Sequence, residues 1–340
     1  MNFEVKKVSK DYQIISWNRI IEELKKHNNG DENLKINNCI AHGKKYNKAI
    51  RVTVLTTTYN RAHTLIRLYE SLISQSDYSF KWLIVDDGSV DNTRELVDSF
   101  NNTFFSIRYV NKENGGKHTA INMGMKLIDT EYTIIVDSDD RLCKNAIRLV
   151  NKWIKEIEGL DNFAGVAGTR ISDAGTIIGE FKSKEYYVDC YNSCRRRKGL
   201  LGDKAEIYKT ALLKENPFPV FENEKFVPEN VVWNKFSLMN LKLRWYNEGI
   251  IICEYLEGGL TAQTHKSLFF KENFNGYKEE CKINIKALPF PYNYSAGSVF
   301  YARCIDTEIY KNAFDRMDIS FIDKFLMRVL GRIRYKLERY

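Results

Sequence analysis

Short runs of apolar and β-branched residues alternate along the middle of the chain with segments in which apolar residues recur every three or four positions. The runs lie at 52–55, 82–85, 107–110 and 133–136, and the helical patterns lie at 62–74, from Asp91 or Asn92 to 100, and at 117–128. Short apolar runs bounded by turn residues indicate buried strands, and their alternation with helices indicates βαβ units. Because the runs are continuous, both faces of the sheet are expected to be covered. The pattern therefore predicts an α/β fold, a Rossmann-like, mostly parallel sheet with helices on both faces.

The two ends of the chain follow other patterns. Residues 1–50 are polar and charged, and we interpret them as an N-terminal extension with one helix around 14–26. Residues 301–340 are interpreted as a C-terminal helical segment, in which 321–340 form one helix with an apolar stripe and a lysine- and arginine-rich face. Such a helix either lies on an anionic membrane surface or packs its stripe on protein. The fold class is thus α/β with helical appendages at both ends.

Composition is typical of a soluble globular protein. Of 340 residues, 44% are hydrophobic and 28% are charged, and the net charge is +8. No run of about 18 apolar residues is present and the N-terminus lacks the apolar core of a signal peptide, so we expect a cytosolic location. The positive charge favours anionic partners, namely phosphates, a membrane surface or nucleic acid. Nucleic acid is disfavoured because the basic run at 195–198 is short and isolated.

The strand at 133–136 runs into three carboxylates within four positions, Asp137, Asp139 and Asp140. Carboxylates crowded at a strand end repel one another unless a cation lies between them, and a divalent ion with a phosphorylated ligand would supply that charge. The alternative is that Ser138, Asp139 and Asp140 cap the helix expected from about Cys143.

Two more polar clusters follow the first and second strands, at 57–60 and at Asp87. Ligands bind at the carboxyl ends of strands in open parallel sheets, and all three clusters lie at such ends. Asp87 can accept the imide N–H of a uracil or thymine ring, or it can simply form an Asp-Gly turn. Convergence of three clusters on one edge favours a ligand site over capping alone.

Four further residues carry candidate chemistry. Gly116 and Lys117 precede a helix, where glycine allows close backbone approach and the helix N-terminus favours an anion; the alternative is a plain turn. Glu229 follows a proline at a helix start, and is either a general base near the carboxylates or an acid favoured by the helix dipole. His265 can reach the metal or a diphosphate, and the alternative is a structural or exposed histidine.

With these residues the chain resembles a family 2 glycosyltransferase of the GT-A fold over about residues 51–265. The matching motifs are Thr57-Thr58-Tyr59-Asn60, Val85-Asp86-Asp87-Gly88-Ser89, Asn114-Gly115-Gly116 with Ala120 and Asn122 beyond, and Asp137-Ser138-Asp139-Asp140. Their order and spacing make the combination specific. The resemblance implies inverting transfer of a sugar from a nucleotide-sugar, usually a UDP-sugar, to a hydroxyl of a glycan or lipid-linked acceptor.

The resemblance also implies how a donor is bound. Thr57, Tyr59 and Asp87 would bind the nucleobase and ribose, and Gly116 and Lys117 would lie along the donor.

The same resemblance implies a divalent metal. Asp137 and Asp139 match the D-x-D element that binds Mn²⁺ or Mg²⁺ through the donor diphosphate, and Asp140 is a further candidate ligand. Ser138, inside the element, is assigned to the donor.

The family's catalytic base is an acid in a Glu-Asp type motif, and Pro228-Glu229-Asn230 holds that place here without the second acid. Glu229 is therefore the expected base, and Asp203 is expected to face the acceptor. The resemblance also predicts a catalytic domain at 51–300, with a nucleotide-sugar half at 51–150 and an acceptor half at 151–300.

The resemblance further implies a role in bacterial surface polysaccharide synthesis. Because acceptors of such enzymes are often lipid-linked, we expect a cytoplasmic protein held on the inner face of the cell membrane through 321–340. Two other hypotheses are a nucleotidyltransferase and a non-catalytic nucleotide-sugar binding module. The first would usually carry a glycine-rich phosphate loop after its first strand, whereas 56–61 contains no glycine. The second differs in whether Glu229 and the aspartates are needed for turnover.

Overall fold

A computed structural model describes residues 49–102, 104–253, 260–309, 313–315 and 317–338. The helix expected around 14–26 lies outside these residues. The strands are β1 (Val52–Thr58), β2 (Phe80–Asp86), β3 (Ser106–Asn111), β4 (Tyr132–Ile135), β5 (Arg141–Leu142), β6 (Phe163–Ile171), β7 (Glu180–Phe181), β8 (Tyr187–Cys190), β9 (Leu200–Leu201), β10 (Lys204–Lys209) and β11 (Lys242–Ile252). The helices are α1 (Ala62–Ile73), α2 (Thr93–Asp98), α3 (Lys117–Leu127), α4 (Ala146–Glu156), α5 (Thr210–Glu215), α6 (Asn230–Leu238), α7 (Leu260–Thr264), α8 (Ser267–Glu272), α9 (Phe274–Ala287), α10 (Tyr292–Asp306) and α11 (Phe321–Glu338), and a 3-10 helix spans Asn192–Lys198.

One large mixed sheet contains the four predicted strands and five later ones. Its strand order is β3-β2-β1-β4-β10-β6-β11-β5, with β8 also paired to β11. The predicted strands β1 to β4 are parallel to one another, and β6 is parallel to β11. In contrast, β10 runs antiparallel to both β4 and β6. The predicted α/β fold, with its parallel βαβ half, is confirmed.

The parallel register brings the carboxyl ends of β1, β2 and β4 to one edge of the sheet. Leu55 on β1 lies beside Leu83 on β2 and beside Ile135 on β4. Val54 and Leu55 belong to two different cores, because successive strand residues point to opposite faces of the sheet. Both faces are therefore covered, and the polar residues that follow these strands are left at the edge.

Helices from residue 260 onward build a third core, which contains Phe270, Phe300, Phe314 and Met327. The predicted division at residue 300 falls inside α10. The helix predicted at 321–340 is observed over Phe321–Glu338 and packs on α10. Among the described residues, no helix has both the length and the apolar character that crossing a membrane requires.

The helix expected from about Cys143 begins three residues later, at Ala146, with Asn145 as its N-cap. Ser138, Asp139 and Asp140 therefore do not cap it. The capping explanation of the carboxylate cluster is excluded, and the three acids need another role.

Candidate active site

The loops after β1 and β2 are hydrogen-bonded to each other at the carboxyl edge of the sheet. The backbone N–H of Asn60 donates to Ser89 Oγ at 2.8 Å, and the backbone N–H of Val90 donates to Asn60 Oδ1 at 2.8 Å. Asn60 has φ 52°, in the left-handed region that asparagine tolerates better than most residues. Thr57 is buried in this edge and Tyr59 is half-exposed. The structure thus brings two of the predicted clusters together.

Asp87 is buried, and its carboxylate accepts four hydrogen bonds. The donors are Lys112 Nζ at 2.5 Å, Asn114 Nδ2 at 3.1 Å, and the backbone N–H groups of Gly115 at 3.0 Å and Gly116 at 2.7 Å. Four donors fill the acceptor sites of a carboxylate. Binding a nucleobase N–H at Asp87, its predicted role, therefore requires the exchange of one of them. Lys112 belongs to none of the sequence motifs, and sequence reasoning missed it.

Gly116 occupies a position that no other residue can take without movement of the backbone. Its φ is 93°, and a Cβ built there would lie 1.9 Å from the carbonyl oxygen of Lys225. Lys225 Nζ also donates to Asn114 Oδ1 at 2.6 Å. The loop before α3 is thus held between the end of β2 and the segment that leads to α6.

Lys117, the first residue of α3, joins two of the predicted functional acids. Its Nζ lies 2.6 Å from Asp137 Oδ1 and 2.9 Å from Glu229 Oε1. Burial alone would lower the pKa of Lys117, but the two carboxylates raise that pKa above its ordinary value. Glu229 is the N-cap residue of α6 and its side chain makes no capping hydrogen bond. The predicted base therefore lies next to the predicted metal ligand, with one ammonium between them.

The remaining carboxylates differ in how their charge is compensated. Asp140 accepts from Arg170 Nη1 at 2.7 Å, whereas Asp139 has no ion pair among the described residues. Burial raises the pKa of Asp140 to about 6 against the opposing effect of Arg170. Burial and the neighbouring charge of Asp137 raise the pKa of Asp139. Asp139 is therefore the acid of this cluster that has no ion pair in the described part of the chain, although Arg61 and Lys117 act on it electrostatically.

This donor set fits a hard divalent cation in its chemistry. The described residues contain no preformed group of three or more His, Cys, Asp or Glu side chains that could hold a metal. However, carboxylate oxygens are the ligands that Mg²⁺ and Mn²⁺ prefer. Asp137 and Asp139 supply them, and the uncompensated Asp139 is the place where a cation would be most stabilising.

A small cavity of about 10 Å³ lies among these residues and is lined by Lys117, Asp137, Glu229, Arg170 and Glu206. Within the described residues the carboxylate of Glu206, on β10, has no hydrogen bond or ion pair with another side chain. Burial raises the pKa of Glu206 to about 7, with Arg195 and Arg170 opposing and Glu229 adding to the effect.

Three of the residues around that cavity were missed by sequence reasoning. Arg170 and Glu206 come from β6 and β10, which follow the recognised motifs. Tyr208, two residues along β10, also lines the cavity, and its buried hydroxyl has no hydrogen-bond partner in the described part of the chain. These residues belong to no sequence motif, and no signal in the sequence pointed to them.

Three predicted residues are not joined to this network by a described contact. Ser138 is buried, and Asp203, between β9 and β10, is exposed. His265, which follows α7, is also exposed. The described residues give neither Asp203 nor His265 an ion pair with the site, and their roles stay predictions.

Comparison with known proteins assigns the family. The model of glycosyl transferase family 2 matches residues 53–200. Glycosyltransferase GlyG of Streptococcus pneumoniae serotype 4 is 34% identical over 232 residues, which cover 62% of this chain and 72% of that protein. An uncharacterized glycosyltransferase of Rickettsia bellii is 27% identical over 191 residues, which are 56% of this chain but 27% of that protein.

A solved structure shares the fold. S. aureus TarS 1–349, in complex with UDP-GlcNAc, superposes with a TM-score of 0.55 at 20% identity, over 82% of this chain and 79% of that chain. The predicted GT-A architecture is thereby confirmed. From the family model, the relationship to GlyG and the motifs now seen at one sheet edge, the chain belongs to glycosyl transferase family 2.

Proposed function

We propose that the chain is an inverting, metal-dependent glycosyltransferase that moves a sugar from a UDP-sugar to a hydroxyl of a glycan or lipid-linked acceptor. Family membership supports sugar transfer. The observation that carries the finer proposal is the position of Lys117 between Asp137 and Glu229. The attacking hydroxyl and the departing diphosphate must lie on opposite sides of one anomeric carbon. The acids that serve them must therefore border one site, as Asp137 and Glu229 border the same cavity.

In this proposal Glu229 removes the proton from the acceptor hydroxyl as its oxygen attacks the anomeric carbon. The side chain of Glu229 is 38% exposed, so an acceptor can reach it. Lys117 orients the carboxylate of Glu229 through their ion pair of 2.9 Å. Attack opposite the leaving group inverts the anomeric centre in one displacement. Mn²⁺ or Mg²⁺ held by Asp137 and Asp139, with Asp140 as a further ligand, would offset charge on the departing diphosphate.

The donor class is supported by the fold and by the loop chemistry. TarS 1–349 is known in complex with UDP-GlcNAc and with UDP. In this chain Thr57, Tyr59 and Asp87 lie on the edge where such a nucleotide would bind, and Gly116 donates its backbone N–H to Asp87 there. A nucleotidyltransferase is disfavoured by the family assignment. A binding-only module remains the alternative that turnover distinguishes.

The proposed location is the cytoplasmic face of the membrane, where lipid-linked precursors of bacterial surface polysaccharides would be accessible. Helix α11 supports it. Helix α11 packs on α10, but several of its apolar side chains remain exposed to solvent. The exposed fractions of Phe321, Ile322 and Phe325 are 81%, 66% and 57%. The same helix carries basic residues, so an anionic membrane surface would accommodate both its apolar stripe and its positive charge.

The experiment that tests the catalytic proposal is nucleotide release from a panel of UDP-, GDP- and TDP-sugars with Mn²⁺. We expect slow hydrolysis of one UDP-sugar that requires both the metal and Asp139. Asp139→Ala should lower this rate at least a hundredfold, since it removes a carboxylate from the ion that offsets the diphosphate charge. The matched control is Asp161→Ala at an exposed loop position, which should leave the rate unchanged.

The other outcomes separate the alternatives. Donor binding without release, even with candidate acceptors added, would identify a binding-only module. Release that is insensitive to chelation would remove the metal from the proposal. If no nucleotide-sugar binds, the proposed function is wrong.

A further inference from the structure

A cavity of about 300 Å³ lies between the 3-10 helix Asn192–Lys198 and helices α6, α9 and α10. This volume is at the lower end of the range for small-molecule sites and can accommodate a single sugar unit. The cavity is separate from the smaller one around Lys117, with which it shares no lining residue.

Helix α6 lines both cavities with adjacent faces. Glu229 and Trp233, four residues apart, line the small cavity, whereas Asn230 and Asn234 line the large one. Residues four apart share one face of a helix, and the next pair is rotated by about 100°. Glu229, the proposed base, therefore lies at the start of α6 on the face toward the small cavity, and the adjacent face of α6 borders the large cavity.

Positive charge exceeds negative charge in the lining. Arg195, Arg196 and Arg303 face one acid, Glu280. The guanidinium of Arg196 is exposed and makes no hydrogen bond or ion pair with any described residue. Arg303 lies over the ring of Tyr277 at 4.5 Å and donates to the carbonyl oxygen of Thr264. It interacts electrostatically with Glu280 but forms no ion pair at contact distance with a described carboxylate. The lining therefore holds three cations and one acid, which leaves a net positive charge.

The cavity also contains neutral groups of the kind that bind sugar hydroxyls. The hydroxyl of Tyr277 is buried and has no hydrogen-bond partner of good geometry among the described residues. Asn192, Asn234 and Asn284 form a chain of amide hydrogen bonds, each of 2.7 Å. A buried polar group without a partner costs free energy unless a ligand or water satisfies it.

We propose that this cavity binds an anionic sugar unit of the acceptor, one that carries a phosphate or carboxylate group, with Arg196 and Arg303 facing the anion and Tyr277 donating to a sugar oxygen. The assignment of this sugar to the acceptor rests on the proposed function. Binding of the anionic sugar itself does not. The donor diphosphate is a separate anion, at the other cavity.

The test measures binding of glucose 1-phosphate, glucuronate and glucose to the full chain by calorimetry. At least one anionic sugar should bind ten times more tightly than glucose. Arg196→Ala and Tyr277→Phe should each weaken that binding at least fivefold, the second without altering the shape of the ring. Lys198→Ala removes an exposed cation from the same 3-10 helix but not from the cavity lining, and should leave affinity unchanged.

Titration of the same proteins with the panel of nucleotide-sugars keeps the two proposals distinguishable. If the anionic sugars bind as expected and no nucleotide-sugar does, the anion site stands and the proposed transfer fails. Equal affinity for glucose and the anionic sugars would overturn the cavity proposal, as would absent binding. Binding that Arg196→Ala and Lys198→Ala weaken alike would also overturn it, because it would then reflect only the general charge of the segment.

Discussion

At the scale of single residues, the site is a problem of charge compensation. Asp137 and Glu229 share the ammonium of Lys117, and Asp140 takes the guanidinium of Arg170. Although burial opposes ionisation, Lys117 and Arg170 keep the pKa of Asp137 below its ordinary value. The protein thus supplies two cations for three ionised or partly ionised acids, and Asp139 is left for a ligand to compensate.

Glu206 forms no ion pair with a described residue. We therefore predict that its ionisation lowers the free energy of unfolding as pH rises. Its pKa is raised to about 7 in the folded chain, against 4.5 for an ordinary glutamate. Between pH 4.5 and 7 the unfolded chain loses this proton while the folded chain retains it, so the group lowers stability as pH rises. Glu206→Gln resembles the protonated form, and should raise the free energy of unfolding by up to about 3 kcal/mol at pH 8, with little change at pH 4.5.

The measurement is chemical denaturation of both proteins at the two pH values, in the presence of a chelator. Glu222→Gln, at an exposed position, is the control and should alter the free energy of unfolding equally at both pH values. A difference between Glu206→Gln and the unmodified chain that is constant across pH would show that the folded site does not hold this proton.

At the scale of elements, the loop before α3 depends on a single glycine. Gly116→Ala must accommodate both φ 93° and a Cβ placed 1.9 Å from the carbonyl oxygen of Lys225. Backbone strain and displacement of Lys225 together should destabilise the fold by about 3 kcal/mol or more. The loop should also move away from Asp87, since Gly116 N–H donates to that carboxylate. We therefore expect UDP affinity to fall with stability, as measured by calorimetry and chemical denaturation.

Gly159→Ala is the control that separates backbone strain from a steric clash of the new Cβ. Gly159 has φ 76°, but a Cβ there meets no atom within 4 Å. Its substitution should cost only the strain of the left-handed backbone, about 1 kcal/mol. Equal losses for Gly116→Ala and Gly159→Ala would mean that the contact with Lys225 is not what fixes the loop.

The elements also explain what could be predicted from the sequence. The strands β1, β2 and β4 were predictable because apolar runs followed by polar turns are local signals, and a parallel sheet brings their ends to one edge. Arg170 and Glu206 were not predictable, because β6 and β10 reach the site only through antiparallel pairing in the second half of the sheet. Glu229 was proposed from its place after a proline at a helix start and by resemblance, and its approach to Lys117 is a tertiary contact that no local pattern encodes.

At the scale of the whole molecule, the two cavities and α11 suggest a division of tasks. The parallel half of the sheet supplies the candidate donor and metal residues, whereas α6, α9 and α10 enclose the larger cavity. Helix α11 packs on α10, which borders that cavity. A surface that bound α11 would therefore lie near the proposed acceptor site, as a lipid-linked acceptor requires.

This arrangement predicts that α11 binds anionic membranes, and it also determines which variant can test the prediction. Deletion of residues from 321 onward would uncover the α10 surface that Met327 and Gly331 contact, so loss of binding could reflect damage to the third core. The triple variant Phe321→Ser, Ile322→Ser and Phe325→Ser changes exposed side chains only. Because each removes apolar area worth about 1 kcal/mol or more at a membrane, partitioning onto phosphatidylglycerol vesicles should fall at least tenfold.

The control for this measurement is Val220→Ser, which replaces an exposed apolar side chain outside α11. It should leave vesicle binding unchanged, whereas higher salt should weaken binding of the unmodified chain, since screening reduces attraction of the basic residues to anionic lipid. The competing interpretation is that the apolar stripe of α11 contacts a second protein chain. Concentration-dependent self-association that the triple variant abolishes, in a protein that does not bind vesicles, would favour that interpretation and contradict the membrane proposal.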